Sequence, residues 1–312
     1  MKNLIIILLL STPFLLSAQG TDTTYWTTGG VSSITFSQVT LSNWAAGGNN
    51  SVAFNGYFNI HANYAKDRSI WENSLELGYG LVKQENADFV KADDKINLTM
   101  KYGRQMKEEL DKLYWSMNFN LRTQFAEGFS PDDLGTPISK FMSPGYMVIA
   151  LGMDWKPSKY FSLTYAPLTG KFTIVNDQQL ADTGAFGVDP ALVDNNGAII
   201  PGTGSKSRSE LGSYLTASFK KELFENVNVE SKIQLFSNYK ENPENIDVNW
   251  ENSIIMKINK YLSASIINQF IYDEDIDIPD FDENGNQTGA SPKLQFKNIF
   301  GLGLAYNFGD KK

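Results

Sequence analysis

The 312-residue chain contains no cysteine and a single histidine, His61. Without cysteine it has neither disulfide bonds nor a lipid-bearing N-terminal cysteine. Zinc sites draw on cysteine and histidine, so a dedicated zinc site is not expected. A Ser-His-Asp site would have to use His61, which the strand pattern places on a polar face. We therefore expect no catalytic residues and no cofactor, and predict that the protein is not an enzyme.

A long hydrophobic run is also missing after the N-terminal segment. A membrane-spanning helix needs ~17–25 predominantly apolar residues. The longest uncharged apolar stretch, Phe141 to Met153, is shorter and is broken by Pro144 and Gly145. The chain carries 35 acidic and 27 basic residues, a net charge of −8. This acidic balance argues against a nucleic-acid partner.

The first 18 residues are typical of a secretory signal peptide. Lys2 precedes the apolar run Leu4 to Leu10, and Ala18 supplies a small residue for cleavage. An uncleaved anchor is the competing interpretation, but this apolar core is too short to span a bilayer. We predict a signal peptide over 1–18 and a lead-in segment over 19–30.

The rest of the chain alternates between apolar and polar residues. Between Ser51 and Tyr64, for example, Val52 and Phe54 share one face and Asn55 lies on the other. Successive strand side chains point to opposite sides, so each segment has one apolar and one polar face. This predicts an all-β fold, an antiparallel transmembrane β-barrel over 31–308, with a tail over 309–312. The twelve predicted strands are 31–41, 51–65, 70–83, 94–105, 113–126, 146–156, 159–167, 207–221, 226–240, 246–259, 261–273 and 294–308.

The gaps between these segments alternate between short and long. Long gaps include 127–145, 168–206 and 274–293, whereas the turn between the sixth and seventh strands is only 157–158. Outer-membrane barrels have an even number of strands, short periplasmic turns and longer outside loops. We therefore predict the cell outer membrane as the location.

Alternation alone fits a soluble, lipocalin-like barrel with its apolar face inward just as well. The aromatic residues of the apolar register separate the two interpretations. Trp71 and Trp115 fall near one end of the strands, and Tyr79 and Trp250 near the other. Two aromatic girdles are typical of a bilayer interface, so we predict that lipid contacts the apolar face. The final strand, 294–308, is expected to be recognised by the outer-membrane assembly machinery.

Several sequence runs carry a family resemblance: Ser42–Ser51, Trp71–Gly80, Ser139–Gly145, Pro167–Lys171, Gly184–Gly187, Leu235–Tyr239, Asn245–Trp250 and Tyr272–Ile276. Together they resemble an uncharacterised family of Gram-negative outer-membrane barrels, a domain of unknown function. The resemblance extends over most of the chain after the signal peptide. It implies an outer-membrane location and supplies no activity.

The polar faces carry charges of both signs in similar number. A charge-selective pore would show one dominant sign, whereas mixed charges suggest pairing across the lumen. A narrow polar channel and a lumen closed by ion pairs both remain open, because twelve strands fall between the ~8 that side chains can fill and the ~16 that enclose water. The lumen-facing candidates are Glu72, Glu76, Lys95, Arg122, Glu230, Lys232, Asp247 and Glu251.

Two loops carry further candidates. Asp280, Asp282 and Asn284 have the spacing of a calcium loop, but Ser291 stands where the closing glutamate is required. A hairpin turning at Asn284 explains the same residues, and we predict no metal. Loop 168–206 is long enough to cap the mouth or to fold into the lumen.

The interpretation that fits best is a channel or transport protein for small solutes, with gating by loop 168–206. The alternative is a non-conducting structural or surface-binding barrel with acidic loops. A lipid-modifying enzyme is the third possibility, and the single histidine disfavours it.

Overall fold

Twelve long strands of the chain close into one antiparallel barrel. The computed structural model describes residues 25–40, 50–84, 87–130, 133–282 and 287–309, so the predicted signal peptide lies outside the described residues. The barrel strands are β1 (Trp26–Val39), β2 (Ser51–Lys66), β3 (Ser69–Gln84), β4 (Val90–Gln105), β5 (Leu113–Thr123), β8 (Gly145–Ser158), β9 (Phe161–Ile174), β10 (Ser207–Phe224), β11 (Val227–Asn238), β12 (Ile246–Lys257), β13 (Leu262–Tyr272) and β16 (Gln295–Gly309).

The remaining elements lie in the long loops. β6 (Gly128–Ser130) pairs with β7 (Asp133–Ser139), and β14 (Asp277–Phe281) pairs with β15 (Gln287–Pro292). The loop between β9 and β10 contains the short helix α1 (Gln178–Asp182). These loops share one end of the barrel, here called the loop end, and the short turns mark the opposite turn end. No described helix has the length and apolar character needed to cross a membrane.

All twelve predicted strands are confirmed, and the two largest corrections to their bounds concern β1 and β9. β1 begins at Trp26, so residues 26–30 of the predicted lead-in belong to the barrel. β9 continues to Ile174 instead of ending at 167. Pro167 interrupts the alternation without ending the strand, because the pairing shifts register there: Ala166 faces Tyr214, and Thr169 faces Gly212. Proline is tolerated at such bulges, where its missing N–H breaks no ladder bond.

Closure of the barrel satisfies the backbone hydrogen bonds. β1 pairs with β2 on one side and with β16 on the other, so the sheet has no free edge along this seam. Within hydrocarbon each unsatisfied backbone group costs several kcal/mol, and closed barrels and helices are the structures that avoid this cost. The hydrogen-bond closure therefore explains why strands of this length are stable in a membrane.

The distribution of exposed side chains decides which face contacts lipid. Large apolar residues lie outside, with Trp115 61%, Leu304 63% and Tyr306 66% exposed, while Asp154 and Thr164 inside the barrel are fully buried. A soluble lipocalin-like barrel would show the reverse arrangement. The protein is thus an antiparallel transmembrane β-barrel of the outer-membrane type, as the sequence predicts.

The seam between β1 and β16 predicts a sensitivity to side-chain size. This seam has eight residue pairs, fewer than the fourteen between β1 and β2. A Cβ at Gly303 would lie 2.1 Å from the carbonyl oxygen of Ile34, so backbone would have to move. Gly303→Ala is expected to lower the fraction of refolded barrel, measured by the heat-dependent gel shift.

The control for this prediction is Gly56→Ala. A Cβ at Gly56 would meet its nearest atom, the carbonyl oxygen of Tyr79, at 3.8 Å, which is ordinary contact. Equal refolding of the two variants would contradict a steric limit at the seam.

Candidate functional site: the lumen and its mouth

The middle of the lumen is bridged by one lysine. Lys95 on β4 lies 2.7 Å from Glu76 on the neighbouring β3 and 2.8 Å from Glu251 on β12. Five strands separate β4 from β12 in either direction around the barrel, so these two strands are diametrically opposite. The Lys95–Glu251 ion pair therefore crosses the whole width of the lumen.

A second group of charges lies toward the turn end. Asp154 on β8 is fully buried, and it accepts hydrogen bonds from Thr164 at 2.7 Å and Lys101 at 3.0 Å. Lys156 binds Glu72 across the lumen and lies 3.6 Å from Asp154. A buried carboxylate is tolerated when it is paired and hydrogen-bonded. Two lysines and two carboxylates thus neutralise one another here.

A third group surrounds Lys171 toward the loop end. Its Nζ contacts Asp247 on β12, Asp273 at 3.2 Å and Glu210 at 3.5 Å. It also lies 5.3 Å from the centre of the Phe236 ring, a cation–π contact. β9 and β12 are separated by two strands, so this group also bridges part of the lumen. Each of the three groups crosses between strands that are not neighbours.

Arg208 connects three loops at the mouth. Its guanidinium donates to the carbonyl oxygen of Gly187 at 3.2 Å, and lies 2.7 Å from Glu241 and 2.9 Å from Asp275. Gly187 belongs to the loop between β9 and β10, and Asp275 follows β13, the third strand beyond β10. A Cβ at Gly187 would lie 2.9 Å from the carbonyl oxygen of Asp275. This loop, residues 175–206, therefore reaches across the mouth of the barrel.

The same loop is also attached to the loop that precedes β8. Asp177 lies 2.8 Å from Lys140, and its side chain caps α1 by accepting from the backbone N–H of Leu180. The hydrogen bond from Lys140 lowers the pKa of Asp177, and the same bond raises the pKa of Lys140. Asp182 accepts from the N–H groups of Gly202 and Gly204, which closes the loop on itself. Loop 175–206 is thus an ordered structure fixed at two points of the rim.

Five of the eight predicted lumen candidates belong to the groups described above. Glu72, Glu76, Lys95, Asp247 and Glu251 form the contacts described above. Glu230 pairs with Lys220 at 3.0 Å toward the turn end, Arg122 lies over the ring of Tyr146 at 5.0 Å, and Lys232 lies close enough to Glu76 to act on it electrostatically.

Two central residues, Lys171 and Arg208, are absent from the sequence-predicted set. Lys171 falls outside the predicted seventh strand, because Pro167 breaks the alternation. Arg208 and Glu210 alternate correctly at the start of β10, but only the folded register shows that they meet Lys171 and the loops. A predicted β-bulge at Pro167 would have continued the strand and placed Lys171 on its lumen face.

The remaining sequence candidates are His61 and the loop that contains Asp280. His61 lies against Gly29 of β1, and no serine or carboxylate hydrogen-bonds it in the described part of the chain. Asp280 is bound by Lys293 and Ser291, while Asn284 lies outside the described residues. The β14–β15 pairing supports the hairpin interpretation of this loop. Over the described ranges, no three acidic or histidine side chains form a metal-binding group.

A family model described as "Protein of unknown function (DUF3078)" matches residues 36–129. Over these residues the match confirms the resemblance to an uncharacterised family. It includes the runs Ser42–Ser51 and Trp71–Gly80 and assigns no activity. No curated protein matches the chain.

Among solved structures, the chain is similar to an outer-membrane channel from Pseudomonas putida F1, with 10% identity and a TM-score of 0.39, covering 91% of this chain and 96% of that one. It is also similar to the translocator domain of the autotransporter NalP from Neisseria meningitidis, with 9% identity and a TM-score of 0.32, covering 92% and 90%. Because these TM-scores are low, the fold assignment rests on the strand pairing of this chain.

The attachment of loop 175–206 predicts a pH-dependent docking. Asp177→Asn keeps a good helix cap but removes the charge that binds Lys140. We expect faster protease cleavage within this loop in the variant at neutral pH.

The direction of the pH dependence follows from the directions of the two pKa shifts. The lowered pKa of Asp177 means that its contribution is complete above the ordinary aspartate pKa of about 3.9 and is lost as the pH falls through the lowered value. The raised pKa of Lys140 places the alkaline loss above the ordinary lysine value. The cleavage rates of wild type and variant should therefore become equal in acid. Identical cleavage rates at neutral pH would exclude this attachment.

Proposed function

We propose that this protein is an outer-membrane channel for small polar solutes that is closed at rest by ion pairs between side chains of its lumen. The Lys95–Glu251 contact carries the proposal, because it joins opposite walls of the barrel at 2.8 Å. The contact at that level is made by charged side chains and not by backbone. Side chains held by ion pairs separate without unfolding the barrel, so the closure is reversible.

The charge balance supports a passage for polar solutes without strong selection of one sign in the middle of the lumen. Lys101 and Lys156 balance Glu72 and Asp154 toward the turn end, and Lys95 together with the nearby Lys232 faces Glu76 and Glu251 in the middle. Rings of one sign would be expected in a pore that selects ions by charge. A hydrated, mixed lumen instead offers donors and acceptors to neutral polar solutes.

Loop 175–206 serves as the second barrier in this proposal. It crosses the mouth and is held there by Arg208 and by the Asp177–Lys140 pair. The gating segment is therefore shorter than the loop 168–206 expected from sequence, because residues up to 174 belong to β9.

The proposal includes the cellular setting expected from the sequence. The segment 1–18 would direct export, and β16, which carries Tyr306 and Phe308 near its end, would be the strand that the assembly machinery binds. A lipid-modifying activity is not part of the proposal, because His61 lies on the lumen side without a catalytic partner among the described residues.

Single-channel recording of Lys95→Ala tests the ion-pair closure. The substitution removes the bridge and leaves Glu76 and Glu251 without their common cation, so their repulsion and the lost volume should admit water. We expect wild type to be nearly silent and Lys95→Ala to show steps of several-fold larger conductance. Deletion of residues 178–204 in the Lys95→Ala background should enlarge the steps further.

The matched control is Lys220→Ala. Lys220 also pairs with a glutamate, Glu230, but its side chain is 73% exposed and spans no part of the lumen width. The conductance of Lys220→Ala should match that of wild type. Silence of Lys95→Ala, with and without the loop, would reject the channel and favour the non-conducting barrel.

A further inference from the structure

A row of polar side chains crosses the lipid-facing surface on four adjacent strands. Asn252 on β12 pairs directly with Ser231 on β11 and with Asn268 on β13, and Asn268 pairs with Asn298 on β16. The four residues form one line around the outside of the barrel, here called the amide row.

The outward orientation of the amide row follows from its contacts. The indole Nε1 of Trp250 donates to the hydroxyl of Ser231 at 3.0 Å, and the Trp250 ring stacks on Phe270 at 5.4 Å. Trp250 is 40% exposed on the lipid side. Its neighbour Glu251 points the other way, into the lumen, where it binds Lys95. Asn252 therefore lies on the same outer face as Trp250.

The amide row interrupts an otherwise apolar surface. On each of three strands a single asparagine stands among apolar outward residues: Ile246, Val248, Trp250, Ile254 and Met256 on β12; Leu262, Ala264, Ile266, Phe270 and Tyr272 on β13; Phe296, Phe300, Leu302, Leu304, Tyr306 and Phe308 on β16. Apolar rows thus flank the amide row on both sides. The row lies one outward-facing residue pair further from the loop end than the aromatic row of Trp250, Phe270 and Phe296, and so inside that interfacial girdle.

The hydrogen bonds within the row leave some of its side-chain amide donors unused. Ser231 donates to Asn252 Oδ1 at 2.7 Å, and Asn298 donates to Asn268 Oδ1 at 2.6 Å. Both Asn252 and Asn268 act only as acceptors, and their Nδ2 groups donate to no other group in the described part of the chain. Each carbonyl oxygen also retains a second lone pair. Hydrocarbon supplies neither donors nor acceptors for these amides.

We propose that the amide row is the contact surface between two copies of this chain in the membrane. A side-chain amide is both donor and acceptor, so the row is complementary to itself. A twofold axis along the membrane normal would place Asn252 of one copy opposite Asn268 of the other. The free Nδ2 of each would then reach an Oδ1 that still accepts. Such a symmetric contact uses the same surface on both subunits. This inference does not depend on conduction.

Cysteine cross-linking in lipid vesicles tests the inference, because the natural chain contains no cysteine. An equimolar mixture of Asn252→Cys and Asn268→Cys chains should give a covalent dimer that joins the two variants on oxidation in vesicles of the purified proteins. Met117→Cys is the control, since Met117 is an outward residue of β5, far from the amide row around the barrel. It should stay monomeric. Equal cross-linking of the amide-row cysteines and of Met117→Cys would overturn the proposal. So would cross-linking of Asn268→Cys only to a different protein in native membranes.

A second variant tests the role of the amides themselves. In the double variant Asn252→Leu/Asn268→Leu the dimer population, counted by single-molecule photobleaching, should fall about tenfold. The fall is limited to this size because membrane-embedded polar contacts are individually modest. Leucine suits the lipid face, so the barrel should still refold. Asn73→Leu is the matched control, because Asn73 already donates to the carbonyl oxygen of Ala62 at 2.8 Å. An unchanged dimer population in the double variant would contradict the proposal.

Discussion

The absence of hydrogen-bonding partners in lipid is the constraint on which the rest of this structure depends. It requires every strand to be paired on both sides, which twelve strands achieve when β16 returns to β1. Closure then fixes an inside and an outside, because side chains alternate along each strand. The apolar residues must face lipid, and the polar residues are forced into a common lumen.

The lumen chemistry follows from this enforced proximity. Charged side chains from opposite walls share a narrow space, where an unpaired charge is costly, so each needs a partner. Lys95, Lys171 and Asp154 each contact more than one charged group, and each makes at least one contact to a strand that is not its neighbour in the sheet. In the channel proposed above, the same ion pairs that make burial tolerable would also close the passage. Stability of the lumen and its permeability would then be linked.

The fold was predictable from sequence because its signal is local: a period of two residues and a rhythm of short and long gaps. β9 was predicted too short, since Pro167 breaks the period where a bulge restores it in three dimensions. The partners of Lys95 or Arg208 could not be predicted, because they depend on register summed around the barrel. Asn252, Asn268 and Asn298 likewise break the apolar pattern in the sequence, but only the strand pairing aligns them into one row.

A double-mutant cycle on Lys95 and Glu251 tests most directly whether side chains meet across the lumen. The free energy of unfolding would be measured for Lys95→Ala, Glu251→Ala and the double variant. Distant sites without shared partners add within about 0.3–0.5 kcal/mol. A contact across the lumen predicts a coupling energy of about 1 kcal/mol or more. Additive effects would contradict it and would leave the lumen open at this level.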